Sequence, residues 1–157
     1  KALADSVVGL LNGNQEFTLI DDQKIVFETA LQLVNRAITE RKKQVFIVEG
    51  GPGTGKSVVA INLLARITGN QKLVHYVSKN SAPRSVYAEK LKGYRTKSSI
   101  DNLFKGSGQY HGERPNQFAC LLVDEAHRLN EKSGLFSNLG ENQILEIKVR
   151  GTLAFMY

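Results

Sequence analysis

The sequence predicts an α/β fold built on a mostly parallel sheet. Three observations carry that expectation. The apolar runs "QVFIVEG", "KLVHYVS" and "QFACLLVDEA" lack the in–out alternation of a half-solvated strand and suit strands covered on both faces. Segments with helical apolar spacing separate them, and strand–helix–strand–helix–strand order favours parallel pairing with helices on both faces. The first run ends at a glycine-rich junction, "GGPGTGKS", from which a helix starts at once.

The elements follow in order. "ADSVVGLLNG" reads as a short helix closed by Gly13. "DDQKIVFETALQLVNRAITERKK" is the strongest helix: Asp21 or Asp22 can cap it, and Ile25, Val26, Leu31, Leu33, Val34, Ala37 and Ile38 share one side. Lys42 and Lys43 fall where the helix dipole favours cations. After the first strand come the helix "KSVVAINLLARITG", the second strand, and the helix "APRSVYAEKLKG" with proline in its first turn. "SSIDNLFKG" reads as a short helix and "GSGQYHGERPN" as a loop before the third strand.

A chain of 157 residues with 41% hydrophobic and 23% charged residues reads as one soluble globular domain. Cys120 is the sole cysteine, so no disulfide forms within the chain, and a reducing compartment is expected. No apolar run approaches the ~20 residues of a membrane span, and the N-terminus lacks the basic-then-apolar order of a signal peptide. The expected location is the cytoplasm. Net charge is +6, and the stretch from Lys79 to Lys105 holds seven basic residues against two acidic ones. Such a stretch suits a polyanion or an ordinary solvated surface.

The junction carries chemistry. Gly50, Gly55, Lys56 and Ser57 satisfy G-x-x-x-x-G-K-[ST], the Walker A phosphate loop. Wrapping an anion in successive backbone N–H groups needs residues that tolerate unusual dihedrals, here Gly50, Gly51, Gly53 and Gly55. Pro52 stiffens the turn, Thr54 completes it, and the helix starting with Lys56, Ser57 and Val58 aims its positive end at the same spot. Lys56 is expected to reach the β- and γ-phosphates and Ser57 to bind Mg²⁺. A chance match in a chain this long is on the order of one in a few hundred. At the end of the third strand, Asp124 is expected to hold Mg²⁺, directly or through water, and Glu125 to activate the attacking water. Alone, these two acids could be surface carboxylates; the upstream loop makes them a Walker B pair of the DEAH type. His127 couples the site to a partner surface or caps local structure.

"EGGPGTGKS" with "LLVDEAHR" resembles superfamily 1 helicases. "FTLIDDQKIVFETAL" resembles their adenine-recognition motif, which implies Gln23 as the adenine contact. "YVSKNSAPRSVYAEKL" resembles their first nucleic-acid motif, and "KSSIDNLFKG" their "T-I-H-x-L" segment, with Ser99 at the Thr position. The run from Phe17 to Gln143, above all "VSKNSAPR", "IDNLFKGSG" and "DEAHRLNEKSGLFSNLGENQI", closely resembles a bacterial P-loop family described as the Schlafen group 3 type DNA/RNA helicase domain. The resemblance implies a three-layer RecA-like P-loop NTPase fold, ATP and Mg²⁺ as cofactors, ATP hydrolysis, and single-stranded or duplex DNA or RNA as partner. From the residues themselves, Lys79, Asn80 and Ser81 precede a helix whose N-terminus can hold a backbone phosphate. Tyr76, Tyr87 and Tyr94 offer stacking faces or core packing. Ser99 serves nucleic acid, a helix cap, or both.

The expected organisation is one partial domain over residues 1–157: N-terminal helices with the adenine motif over 1–43, and the nucleotide-binding core over 44–157. Only 32 residues follow Glu125, too few for the second motor domain that supplies an arginine worth roughly 10³ to 10⁵ in rate in related NTPases. The fold that the family implies inserts a further strand between those of the phosphate loop and of "LLVDEA", and "TLAFMY" is the candidate. "VRGTLAFMY" departs from the family pattern. The sheet is therefore expected to be incomplete at its C-terminus, with an apolar edge that favours self-association. A natural truncation, a frameshifted product and a cut fragment all fit. The activity expected is the first motor domain of a helicase with weak ATPase; the alternative is a nucleotide-dependent switch or binding module that moves no strand.

Overall fold

The computed structural model describes residues 9, 18–70, 72–92, 96–110, 114, 116–130 and 151–156. Five strands form one sheet: β1 (Val45–Val48), β2 (Val74–Ser78), β3 (Phe104–Lys105), β4 (Phe118–Asp124) and β5 (Gly151–Met156). Their order is β1-β5-β4-β2-β3, and every pairing is parallel. Among the described residues the helices are α1 (Asp21–Glu40), α2 (Lys56–Gly69), α3 (Ser81–Leu91) and α4 (Lys97–Asp101), with a 3₁₀ turn at Ala126–Arg128. The expected short helix closed by Gly13 and the segment 131–150 lie outside the described residues.

The candidate strand at the C-terminus takes the expected place. β5 lies between β1 and β4, with Val45 opposite Leu153 on one side and Leu122 opposite Ala154 on the other. β1 is then an edge. Its burial alternates, Val45 and Ile47 being exposed while Phe46 and Val48 pack on the core, in contrast to the two-sided burial expected of it. β2 and β4 are interior and buried almost throughout, as non-alternating apolar runs require.

The strand pleat divides the core. On one face Val74, Tyr76, Cys120 and Leu122 meet Ala30 and Val34 of α1, Val59, Ala60, Ile61, Leu63, Leu64 and Ile67 of α2, and Tyr87 and Leu91 of α3. Ile61, Leu63 and Leu64 have no exposed surface, and burying each such side chain is worth about 1.5–3 kcal/mol. Ile100 of α4 joins the same cluster. The other face carries Val77, Leu121 and Val123, covered among the described residues by Tyr110, Ala126 and Leu129 from loops. Helices on both faces were expected; the four described helices all pack on one.

Local chemistry also departs from expectation in places. The N-cap of α1 is Ile20, and Asp21 and Asp22 lie in the first turn, where the dipole favours acids. α1 stops at Glu40 because Arg41 turns left-handed (φ 54°), so Lys42 and Lys43 lie beyond the helix. Phe104–Lys105, read as the tail of a helix, pairs with β2 instead.

Candidate functional site

Parallel strands gather their carboxyl ends on one edge of the sheet, and three of the expected groups meet there. β1 runs into the glycine loop, β2 into Lys79, and β4 ends at Asp124. The loop turns through Gly53 (φ 76°) and Gly55 (φ 83°), conformations that side-chain-bearing residues rarely adopt. Thr54 closes it, its N–H and Oγ1 both donating to Gly51 O (3.4 and 2.9 Å). The first helical bond of α2 runs from Val59 N to Gly55 O (3.1 Å), which leaves the amides of Lys56, Ser57 and Val58 without intrahelical partners. Lys56 folds back over the loop: its Nζ donates to Gly50 O (2.5 Å) and Gly51 O (2.8 Å).

Gln23 reaches this loop from α1. Its Nε2 donates to Thr54 O (3.0 Å) while its Oε1 accepts from Ile20 N (3.3 Å). The fit is close, since a Cβ built on Gly55 would lie 2.3 Å from Gln23 Nε2.

Asp124 is buried, and a buried carboxylate needs partners. Ser57 Oγ donates to its Oδ2 (3.3 Å), Tyr76 Oη donates to the same oxygen, and Glu125 N donates to Oδ1 (3.1 Å). Glu125 is left-handed (φ 53°), a strained choice for a non-glycine residue and one that collects at functional sites. His127 Nε2 lies 3.1 Å from Glu125 Oε2, so the histidine meets the very acid that the sequence assigned to water activation. Burial, then the Asp124 charge, pushes the Tyr76 phenol well above its ordinary range, so it stays a neutral donor.

The hard-oxygen pair Ser57 and Asp124 suits Mg²⁺. Two oxygens bound in cis to Mg²⁺ at ~2.0–2.1 Å sit roughly 2.9 Å apart, a few tenths less than the 3.3 Å seen here. Ser78 Oγ is fully buried without a hydrogen-bond partner, directly opposite Asp124 in register. No group of three or more His, Cys, Asp or Glu side chains able to hold a metal occurs among the described residues. The pair would therefore have to share such an ion with phosphate oxygens.

The family described as Schlafen group 3, DNA/RNA helicase domain matches residues 43–155. The chain belongs to this family. In this Schlafen group 3 helicase domain the matched span runs from just before β1 into β5 and contains the phosphate loop, Asp124 and Glu125; Gln23 lies before it. The chain is also similar to the type IV methyl-directed restriction enzyme EcoKMcrB subunit of Escherichia coli (strain K12), at 27% identity over 132 residues. That match covers 80% of this chain and 28% of the relative, so the chain spans less than a third of that protein's length.

The expected nucleic-acid residues of the helicase domain separate. Lys79, Asn80 and Ser81 lie at the carboxyl end of β2, on the same sheet edge as the glycine loop. Lys79 Nζ donates to Asn130 Oδ1 (2.7 Å), and Asn80 caps α3 by accepting from Ala82 N (3.2 Å). Ser99 lies at the opposite end of the sheet, in a depression with Thr68, Leu73 and Val74. The cap of α4 is Thr96, whose Oγ1 accepts from Ser99 N (3.3 Å). Tyr76 and Tyr87 are buried and offer no stacking face, and Tyr94 lies outside the described residues. Sequence reasoning missed the bond from Tyr76 to Asp124. Its only signal was a polar-tipped aromatic two places before the end of a fully buried strand.

Proposed function

We propose that the chain is an ATP-binding, Mg²⁺-dependent ATPase, the first motor domain of a superfamily 1-like DNA/RNA helicase with a RecA-like three-layer form. The single observation that carries the reading is the convergence of Ser57 on Asp124, 67 residues apart in sequence, beside the loop that Lys56 crosses. Lys56 would exchange the carbonyls of Gly50 and Gly51 for phosphate oxygens, and the free amides at the start of α2 would face the same anion. Ser57 and Asp124 would hold Mg²⁺, which when bound neutralises charge on the transferring phosphate. Glu125 takes the proton of the attacking water, and His127 orients its carboxylate. Gln23, already against the loop, favours adenine. Lys79, Asn80 and Ser81, at the carboxyl end of β2, are the residues proposed for a nucleic-acid backbone, with Ser99 a separate contact.

Titration with a fluorescent ATP analogue tests the site. Lys56→Ala is expected to weaken binding at least tenfold, as loss of charged hydrogen bonds worth about 1.5–3 kcal/mol requires. Unchanged affinity rejects the assignment. Glu125→Gln should keep binding and lose hydrolysis by roughly 10²–10⁴-fold.

The similar protein is named as a subunit of a restriction enzyme and not as a helicase, which leaves a second reading, a nucleotide-dependent switch that moves no strand. Binding of single-stranded and duplex DNA and RNA across salt concentrations separates the two: a steep salt slope supports a nucleic-acid motor, and no binding at low salt supports a switch acting on a protein.

A further inference from the structure

Asp124 has one partner that the phosphate-loop reading does not use. Tyr76 Oη donates to Oδ2, the oxygen that Ser57 also reaches, while the Glu125 amide holds Oδ1. Tyr76 has no exposed surface, and its ring packs against two others in the core. It meets Tyr87 edge-on at 5.9 Å and Phe104 at 5.7 Å, and those two stack on each other at 5.3 Å. In register, Tyr76 lies opposite Leu122 and Ser78 opposite Asp124, so the phenol reaches diagonally along one sheet face to the carboxylate. A phenol has one proton to donate, and a carboxylate oxygen has two lone-pair directions. With one direction taken by Tyr76, the other faces Ser57.

We propose that Tyr76 is a positioning residue that fixes the Asp124 carboxylate for Mg²⁺, braced by the Tyr87–Phe104 stack. The inference rests on the nucleotide site proposed above. A rigid donor behind a metal-binding carboxylate selects its rotamer before the ion arrives. Partners of this kind change metal affinity by about 10–100-fold when removed.

The test measures binding of a fluorescent ATP analogue to the full chain from EDTA through graded free Mg²⁺. Tyr76→Phe keeps the packed ring and removes the donor, and its melting temperature checks that the fold survives. The Mg²⁺ concentration for half-maximal tightening should rise about tenfold, with affinity in EDTA unchanged. Adding Tyr76→Phe to Asp124→Asn should then change nothing more. An unaltered Mg²⁺ requirement in a folded Tyr76→Phe chain overturns the proposal. So does an equal loss with and without Mg²⁺, the mark of a purely structural role. A wild-type chain that binds no nucleotide at any Mg²⁺ concentration overturns the nucleotide site itself, and this inference with it.

Discussion

Gly55 is the residue whose replacement the loop tolerates least. Its φ of 83° excludes most side chains, and an added Cβ would strike Gln23 Nε2 at 2.3 Å. Gly55→Ala is therefore expected to cost about 1–3 kcal/mol of stability in urea titrations, and to weaken nucleotide binding by displacing Gln23. Cys120 makes the opposite case. It is a small hydrophobe in the core, and burial pushes its thiol up to about 12. The thiol should not react with an aromatic disulfide reagent at pH 8 in the native protein, and should react at once in denaturant. His75 belongs at this scale too. It packs on Phe118 at 4.3 Å, bonds Tyr110 Oη at 3.0 Å, and is held neutral by burial and then by Lys105, its pKa lowered from 6.5 to about 4. Below about pH 6.5 the unfolded chain takes up a proton that the folded chain refuses, so this contribution to stability is present near neutrality and is lost as pH falls to about 4. Urea titrations at pH 7, 5.5 and 4 should show that decline, and His75→Phe should flatten it.

At the scale of elements, caps explain several polar residues that otherwise read as functional. Asn80 accepts the amide of Ala82 and so starts α3; Thr96 does the same for α4 through Ser99. Asn80→Ala is expected to destabilise the chain by about 1 kcal/mol whatever its partners are. Lys79→Ala should leave stability nearly unchanged, and if the stretch contacts a nucleic-acid backbone it should reduce the salt slope of binding by about one. Measuring both variants for melting and for DNA or RNA affinity separates cap from contact. α2 shows how element and site depend on each other. Its apolar stripe places it on the sheet, and that packing points its bare N-terminal amides at the loop.

For the whole molecule, β5 decides whether there is one sheet. It is the only partner of β1 among the described strands and separates β1 from β4. Ending the chain before Gly151 would detach the phosphate-loop strand from the strand that carries Asp124. Loss of a cooperative melting transition, and of any rise in midpoint with ATP and Mg²⁺, is the expected outcome. The exposed Val45 and Ile47 lie on the edge strand β1, which is where the sheet would pair with another copy if it self-associates.

The sequence by itself determined the parallel α/β class and the glycine-rich loop that joins β1 to α2. Those depend on local matters: apolar runs long enough for buried strands, and glycines where only glycine turns. Tertiary structure alone decided that Tyr76 faces Asp124 rather than a nucleic-acid base. It decided too that Ser99 and Lys79 fall at opposite ends of the sheet, and that the described helices share one face. Each of these depends on strand order and register, and neighbours across a sheet are set by the packing of segments far apart in the chain, which no window along it contains.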